Sequence, residues 1–593
     1  MRGIKRAVGL LVALAISRGA AAASPKWSPY ELSTIERVLG TEHVELIDPD
    51  PDGKLIESIE LAPLDVFDER DPIPDFVNVF HVTTRRRVVR RELLFGVGDR
   101  WSELAVAESA RNLRALPQLS LVLIVPLRGS RPGRVRVLVV TRDVWSLRLS
   151  SNFGYAAGAL TFLVVQPAEI NLFGTHTTVG TLFTLRPDTY SFGGLFADPR
   201  IAGSGLQGGL SGNVIVNRET GRPEGSSGSF SYGKPLYSVE SRWAWNAKAV
   251  WKTNIERYYI GSVPRTYDSP LTQDDDRIPY QYSADSWFGA YELTRSFGRE
   301  FKHDVSVGAE AIRQRFRAEP TRGANPIAAR DFAETEVPTS DTRLSPYLQV
   351  DTYTPRYLRV HDFNTLGLVE EYRLGHEVLS RVYPASREVG SSRNLLGTYL
   401  AVSYTMALGD GLARALAASR VEFASPDERD ALFEARVRVV TPSFGVGRVV
   451  YDVEVANHYR NYLNERYTIG GNTRLRGYPS DRFRGEDLVA GTLEYRSLPV
   501  SILSAEVGGA LFYDVGDAFD GFEALRPKQD VGVGLRVLFP QVDRIVLRAD
   551  WGFPLTPGFD PLPGALFVTF GQAFPMPSIL PPSSTRKRTD LDQ

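Results

Sequence analysis

The stretch "LSAEVGGALFYD", Leu503 to Asp514, decides how the rest of the chain is read. Leu503, Ala505, Val507, Leu511 and Tyr513 share one parity with Gly509, while Ser504, Glu506, Gly508 and Asp514 take the other. Side chains of an extended strand alternate between its two faces, so this segment has one apolar face and one that carries charge. The pattern recurs on both sides. In "RIVLRADW", Ile545, Leu547, Ala549 and Trp551 oppose Arg544, Arg548 and Asp550. In "LFEARVRVV", Phe433, Ala435, Val437 and Val439 oppose Glu434, Arg436 and Arg438. In "VVYDVEVA", Asp452 and Glu454 oppose Tyr451 and Val453. From Trp145 to Phe574 period two recurs and no helical period is sustained.

A soluble sandwich also alternates, so three further features decide the fold class. The segments run to about 9–14 residues, longer than ordinary soluble strands. Their polar faces carry full charges of both signs, which a watery lumen permits. Tight turns ("SFGREF", "ALGDGLA", "PSFGVG", "FPQVDR") alternate with long polar connections at Asn254–Gln281, Ala318–Asp341, Glu377–Asn394 and Gly470–Asp487. Together these predict an all-β transmembrane antiparallel barrel whose long loops all lie at one end. Closure satisfies every backbone group in lipid, which an open sheet cannot do. The segments number roughly twenty, an even count as such barrels require.

At 593 residues the chain exceeds one ordinary domain. Its formal net charge of -1 gives no polyelectrolyte signature and argues against nucleic acid as a partner. The lack of cysteine excludes disulfides and thiolate-bound metals. Beyond the N-terminus no run of about 20 apolar residues exists, so no membrane-spanning helix is expected. Arg2, Lys5 and Arg6, the apolar run Ala7 to Ile16, and Ala21-Ala22-Ala23 form a secretory signal over 1–23. Residues 24–53 read as a linker, 54–144 as a small α+β unit, 145–574 as the barrel, and 575–593 as a disordered Pro/Ser-rich tail.

The small unit reads β-α-α-β-β. "KLIESIELAPLDVF" is its first strand. A helix is expected from Arg85 to Leu94, capped by Thr84. A second starts at Ser102, with Trp101, Leu104, Ala107, Ala110, Leu113 and Leu116 on one face and Pro117 at its close. "LSLVLIV" and "RVRVLVV" complete the sheet. Arg86, Arg87 and Arg90 on the first helix form a basic edge that suits acidic partners or lipid head groups, or a solvated face.

The connection "GGNTRLRGYPSDRFRGED", Gly470 to Asp487, is polar yet holds Arg-Gly-Tyr and Arg-Phe-Arg. Parity in "LVAGTLEYRSL" aims Thr492, Glu494 and Arg496 into the lumen, beside inward Asp514. Glu494 and Asp514 therefore need a cation. Arg476 supplies it if the loop folds back inside, because a guanidinium fork bridges two carboxylates. Gly477 is expected at a tight turn at the tip, with Tyr478 and Phe483 against the inner wall.

Several of these stretches resemble the BamA/TamA-like outer-membrane assembly superfamily. "TTRRRVVRRELLFGVGDRW…ARNLRALPQLSLVLIV" looks like its periplasmic POTRA module. Leu475-Arg476-Gly477-Tyr478 looks like its V-R-G-F/Y loop motif, "FYDVGDAF" like its F-x-D-x-G strand, and "INLFGT", Ile170 to Thr175, like its early-barrel segment. The closing strand "ALFVTFGQAF" is similar too. Phe570 and Phe574 share its outward face with Leu566 and Val568, and Gly571 stands where the family has a kinking glycine.

The resemblance implies about sixteen strands rather than twenty. It also implies an Arg476 lock, a lateral seam between first and last strands, and residence in the outer membrane of a Gram-negative bacterium with the small unit in the periplasm. The implied partners are outer-membrane lipid, unfolded barrel or exported clients, and periplasmic or inner-membrane accessory proteins. The implied function is to assist insertion of β-barrel proteins or translocation of a client through the seam. A two-partner-secretion transporter is the alternative, although it normally has two POTRA modules and an N-terminal plug helix, and neither is read here. A passive porin would lack both the small unit and the arginine loop. An enzyme is not indicated: there is no G-x-S-x-G, H-E-x-x-H or Walker loop, no cofactor motif, and no metal-ligand spacing among seven histidines. Asp274-Asp275-Asp276 reads as a solvated acidic run rather than a cation site.

Overall fold

A computed structural model describes residues 29–40, 46–67, 75–156, 159–260, 263–321 and 323–573, with positions 27, 73, 576, 578 and 579 beside them. The expected signal at 1–23 lies outside the described residues.

The small unit holds helix α1 (Pro29–Leu39), strand β1 (Leu55–Leu64), helices α2 (Arg86–Arg90) and α3 (Glu103–Arg114), and strands β2 (Leu119–Arg128) and β3 (Arg134–Asp143). Its sheet order is β1-β3-β2, with β1 parallel and β2 antiparallel to β3. The two helices carry the chain from β1 to the far edge strand β2, and the β2–β3 hairpin brings it back parallel beside β1. Both sheet faces are covered, which explains why β2 reads as an unbroken apolar run. Trp101, Val106, Ala110 and Leu113 cover one face together with Val89. Ile35, Val38 and Leu39 of α1 cover the other, over Leu121, Leu123 and Val125.

Three expectations change here. The stretch taken as a linker contains α1, whose signal is the helical spacing of Leu32, Ile35, Val38 and Leu39. The first helix stops at Arg90 instead of Leu94, since Leu94 N–H is drawn to Ser109 Oγ (2.8 Å) on α3. Leu104 is 51 % exposed, so α3 buries Val106 in its place.

The barrel strands are β4 (Leu147–Ala156), β5 (Ala159–Leu172), β6 (Thr177–Leu185), β7 (Thr189–Asp198), β8 (Gln207–Asn217), β9 (Pro223–Lys234), β10 (Trp243–Arg257), β11 (Gln281–Phe297) and β12 (Lys302–Ala318). Next come β13 (Asp341–Tyr353, resumed at Arg356–His361), β14 (Val369–Ala385), β15 (Leu395–Leu408), β16 (Gly411–Phe423), β17 (Asp430–Val440) and β18 (Gly447–Asn461). The last five are β19 (Asp487–Ser497, resumed at Val500–Ile502), β20 (Ala505–Phe519), β21 (Lys528–Leu538), β22 (Leu547–Pro554) and β23 (Ala565–Phe570). The breaks in β13 and β19 fall at Pro355 and Pro499, which have no N–H for the ladder.

All pairings are antiparallel, and β23 closes on β4, so the barrel has twenty strands. The family-based figure of sixteen is corrected and the count read from the segments stands. The three longest connections, β10–β11, β12–β13 and β18–β19, leave the end opposite the small unit, as the turn asymmetry required, and the second carries helix α4 (Pro326–Thr335); the expected loop Glu377–Asn394 is shorter, because Glu377–Ala385 belong to β14. Along the wall Leu493, Leu511, Val533 and Trp551 are 45–58 % exposed, while their neighbours Glu494, Asp514 and Asp550 are at most 1 % exposed. An apolar belt outside and a sealed ionic interior suit lipid on one side only.

The lumen is filled from both ends. At the small-unit end, the turn between β13 and β14 bends inward. Its Leu366 and Leu368 pack on Leu538 and Val546 at the ends of β21 and β22. The Phe363 carbonyl of the same turn accepts from Arg496 Nη1 (2.6 Å). At the loop end the Gly470–Asp487 connection folds inside.

Candidate functional site: an inward arginine loop and a short seam

The inward loop is a hairpin on a short stem, with Ile469 paired to Phe483. Gly470 (φ 116°), Gly471 (φ 102°) and Leu475 (φ 50°) take left-handed conformations that aim the tip into the lumen. Arg476, fully buried, donates from Nε to Asp514 Oδ2 (2.9 Å) and from Nη2 to Asp514 Oδ1 (3.0 Å). Its Nη1 reaches Glu494 Oε2 (2.6 Å) and Asp550 Oδ2 (3.1 Å), and its backbone N–H also donates to Asp514 (3.2 Å). The guanidinium carbon lies 3.5 Å from the Phe512 ring centroid.

The cross-strand register explains the cradle. Glu494, Phe512, Gly532 and Gly552 form one row across β19 to β22. Gly552 leaves the hollow that the loop fills, since a Cβ there would lie 2.6 Å from the Arg476 carbonyl group, and Gly532 leaves room for the Phe512 ring. Arg496, Arg536 and Arg548 complete the network around Glu494 and Asp550.

The structure thus brings Arg476, Glu494 and Asp514 together and adds Asp550. Parity had placed Asp550 inward, but only the stagger of β20, β21 and β22 puts it beside Asp514. A second arginine was missed. Arg474 Nη2 holds Asp452 Oδ1 (2.5 Å) and Glu454 Oε2 (2.8 Å) on β18; the signal was its i,i+2 relation to Arg476 beside a strand with two inward acids.

Gly477 has a different role from the one expected. Its φ is not left-handed, and the glycine is required by close approach instead: a Cβ there would lie 2.6 Å from Asp530 Cβ and 3.0 Å from the Phe553 carbonyl carbon. Tyr478 is fully buried, donates to the Gln529 carbonyl (2.9 Å), and packs edge-on against Phe483 and Phe559 (5.1 Å each).

The seam is the shortest ladder between neighbouring strands of the barrel. β23 pairs with β4 only at Ala565–Val568 against Phe153–Ala156, so Leu147–Asn152 have no β23 partner. Phe570 follows on the outward face. Gly571 (φ 88°) then turns the chain away, its N–H bound to the Val546 carbonyl (2.8 Å). Phe574 lies outside the described residues.

A buried polar joint ties the small unit to the end of β5 and the turn that follows it. Asp143 Oδ2 accepts from Thr84 N (2.7 Å), Thr84 Oγ1 (2.9 Å) and Asn171 Nδ2 (3.2 Å), with His81 Nε2 at 3.0 Å. The Thr84 hydroxyl is therefore spent on the joint and caps no helix. With its proton on Asp143, its oxygen accepts from His176 Nε2 (2.9 Å). His176 Nδ1 has no partner among the described residues, and burial, aided by Arg91 and Arg200, pushes its pKa down to about 3. Asn171 and His176 bracket the "NLFGTH" turn.

Arg86, Arg87 and Arg90 are exposed on α2, away from buried Val88 and Val89. In the acidic outer loop Asp275 pairs with Arg277 (2.6 Å), and the Asp276 carboxylate accepts from the Thr272 hydroxyl.

Residues 427–574 match the Omp85 superfamily domain; that span holds the inward loop, its three carboxylates and the last seven strands. Among solved structures the chain is similar to BamA from Haemophilus ducreyi lacking POTRA domains 1–3, at 12 % identity over 93 % of this chain and 94 % of that one (TM-score 0.31). It is also similar to CdiB from Acinetobacter baumannii (12 %, 88 % and 74 %, TM-score 0.36) and CdiB from Escherichia coli (10 %, 88 % and 77 %, TM-score 0.43). These likenesses are too distant to carry an argument of their own. No curated protein matches the chain. The last part of the barrel, residues 427–574, is an Omp85 superfamily domain.

Proposed function

We propose that the protein resides in the outer membrane of a Gram-negative bacterium, with the β-α-α-β-β unit as a single POTRA-like module in the periplasm. There it assists insertion of β-barrel proteins or passage of a client through the seam between β4 and β23. The observation that carries this reading is the four-residue ladder beside six residues of β4 that pair with β5 but have no β23 partner. Such an edge is a template for an incoming strand. Opening four residue pairs costs about 2–6 kcal/mol at the usual net value of a hydrogen bond, which strand pairing with a client offsets.

The Arg476 network supports the same reading, because it stiffens β19 to β22 next to the seam. The wall then has one compliant place rather than many. The joint at Asp143 fixes the module directly before β4, so a client held by the module is close to the free edge. No bond chemistry is required; the driving force is strand pairing and burial of the client's apolar face in lipid.

A two-partner-secretion role shares these parts. Here α1 packs on the module's sheet, with Ile35 on Leu121 and Leu123, rather than serving as a lumen plug. Crosslinking in intact cells separates the readings. Photoreactive groups at positions in 147–155 and 565–570 are expected to trap outer-membrane clients. A trapped exported protein supports secretion instead. No adduct, with stable open conductance, supports a porin.

A further inference from the structure

The chain does not leave the barrel after its last strand. The Gln572 side-chain oxygen accepts from Arg536 Nε (3.2 Å) in the lumen, and Ala573 is buried. Met576 packs on Val360, Leu412, Val440 and Val450. Ile579 is 3 % exposed among Leu379, Ala401 and Ala418, and its carbonyl accepts from the Tyr399 hydroxyl (3.1 Å). The expectation of a disordered tail from Pro575 fails at Met576 and Ile579; 580–593 lie outside the described residues.

The seat belongs to the inner wall. Leu379 pairs with Ala401, and Ala401 with Ala418, across β14, β15 and β16. Leu400 and Val402 beside them point outward, at 49 % and 44 % exposure. Counted from the seam, β14 to β16 are strands eleven to thirteen of twenty. A segment that starts at strand twenty is therefore anchored on the opposite wall. Tyr399 also lines a cavity of about 300 Å³ with Tyr347, Tyr383, Glu310, Glu422 and Arg381, so the anchored segment lies between that cavity and the small-unit end.

We propose that the C-terminal segment, held at Gln572, Met576 and Ile579, is a built-in strap that obstructs the lumen and must withdraw before a solute or chain travels along the barrel axis. Its two apolar anchors leave water on seating, and the covalent tether keeps it at high local concentration, so it reseats without a partner. The two apolar anchors stand at i,i+3, and the second adds one carbonyl hydrogen bond. The seat takes an apolar side chain with a backbone carbonyl beside it, and the chain supplies both.

The chain has no cysteine, which makes thiol probes clean. Ala401→Cys is prepared in three backgrounds: the full chain, a chain ending at Phe574, and the full chain with Ile579→Asp. Native folding of each is checked by heat-resistant gel migration. The rate of modification by a small charged methanethiosulfonate from the small-unit side is then measured. At least a tenfold faster reaction is expected in both the truncated and the Ile579→Asp backgrounds. Equal rates in the full chain and the Ile579→Asp chain overturn the strap. In a second test, Ala401→Cys with Ile579→Cys is expected to form an intrachain crosslink with a short bis-maleimide. Its absence in folded protein overturns the strap irrespective of the rates.

Discussion

Replacing Arg476 by alanine removes the cation that three carboxylates share. Glu494, Asp514 and Asp550 are each at most 1 % exposed, so water cannot take over the lost contacts. Asp514 loses most: both its oxygens are bound by the guanidinium, and only Thr492 Oγ1 (2.8 Å) and the Arg476 backbone N–H remain. Glu494 keeps Arg496 and Arg536, and Asp550 keeps Arg536 and Arg548. Breaking one partner of a buried pair costs about 3–5 kcal/mol. Unfolding entropy of about 2 cal/mol/K per residue gives a barrel of this size roughly 0.9 kcal/mol/K, so the melting midpoint should fall by about 3–6 °C. The assay is the temperature at which the detergent-folded barrel loses its fast gel migration. Arg476→Lys should recover only part of the loss, because an ammonium cannot reproduce the two-pronged contact with Asp514. Adding Asp514→Asn to Arg476→Ala should restore part of the midpoint, since the orphaned charge is then gone. Strictly additive losses in the double variant, or a wild-type midpoint for Arg476→Ala, would refute the lock.

Two further outcomes follow from the geometry. Gly477→Ala should destabilise the folded barrel by about 1–3 kcal/mol through overpacking against Asp530 and β22, whereas Gly521→Ala in an open outer turn, where φ is positive but no atom lies near the added Cβ, should leave Arg476 protected from solvent exchange; equal loss of that protection in both contradicts the close-approach role. His176, with its pKa held near 3 against an ordinary value near 6.5, binds fewer protons in the folded joint than in the opened one. The joint's stability is full above about pH 6.5 and declines toward pH 3 by about 1.4 kcal/mol per unit, so hydrogen exchange at Thr84 should accelerate roughly tenfold or more between pH 7.5 and 5 after correction for intrinsic rates. His176→Gln should flatten that dependence, and an unchanged slope would locate the titration elsewhere.

The wall of the barrel was legible in the sequence because period two survives wherever one face meets lipid. Leu511 and Tyr513 against Asp514, or Trp551 against Asp550, state their faces without any knowledge of neighbours. Strand number followed from counting such segments, and counting served better than the family's usual figure. What fills the barrel was only partly legible. Arg476 stood out because its loop carried residues with no use in water. Asp550 and Arg474 did not, because their place depends on the stagger between strands, which alternation alone does not encode. The inward turn at Phe363–Leu368 and the seats of Met576 and Ile579 were hidden for a related reason: a short apolar run outside the strands does not say which wall it will meet. Helix α1 is carried by the spacing of Leu32, Ile35, Val38 and Leu39, but the sheet face that it covers is formed by strands far along the chain.

The most direct test of the seam uses the register of its ladder. Gly154 opposes Phe567 across β4 and β23, and Val533 opposes Trp551 across the stiff side of the barrel. Gly154→Cys with Phe567→Cys, joined under oxidising conditions in cells that depend on the protein, should abolish assembly or export of its client and recover it on addition of reductant. The same bridge between Val533→Cys and Trp551→Cys should have no effect. Full activity with the β4–β23 bridge formed quantitatively would contradict the account.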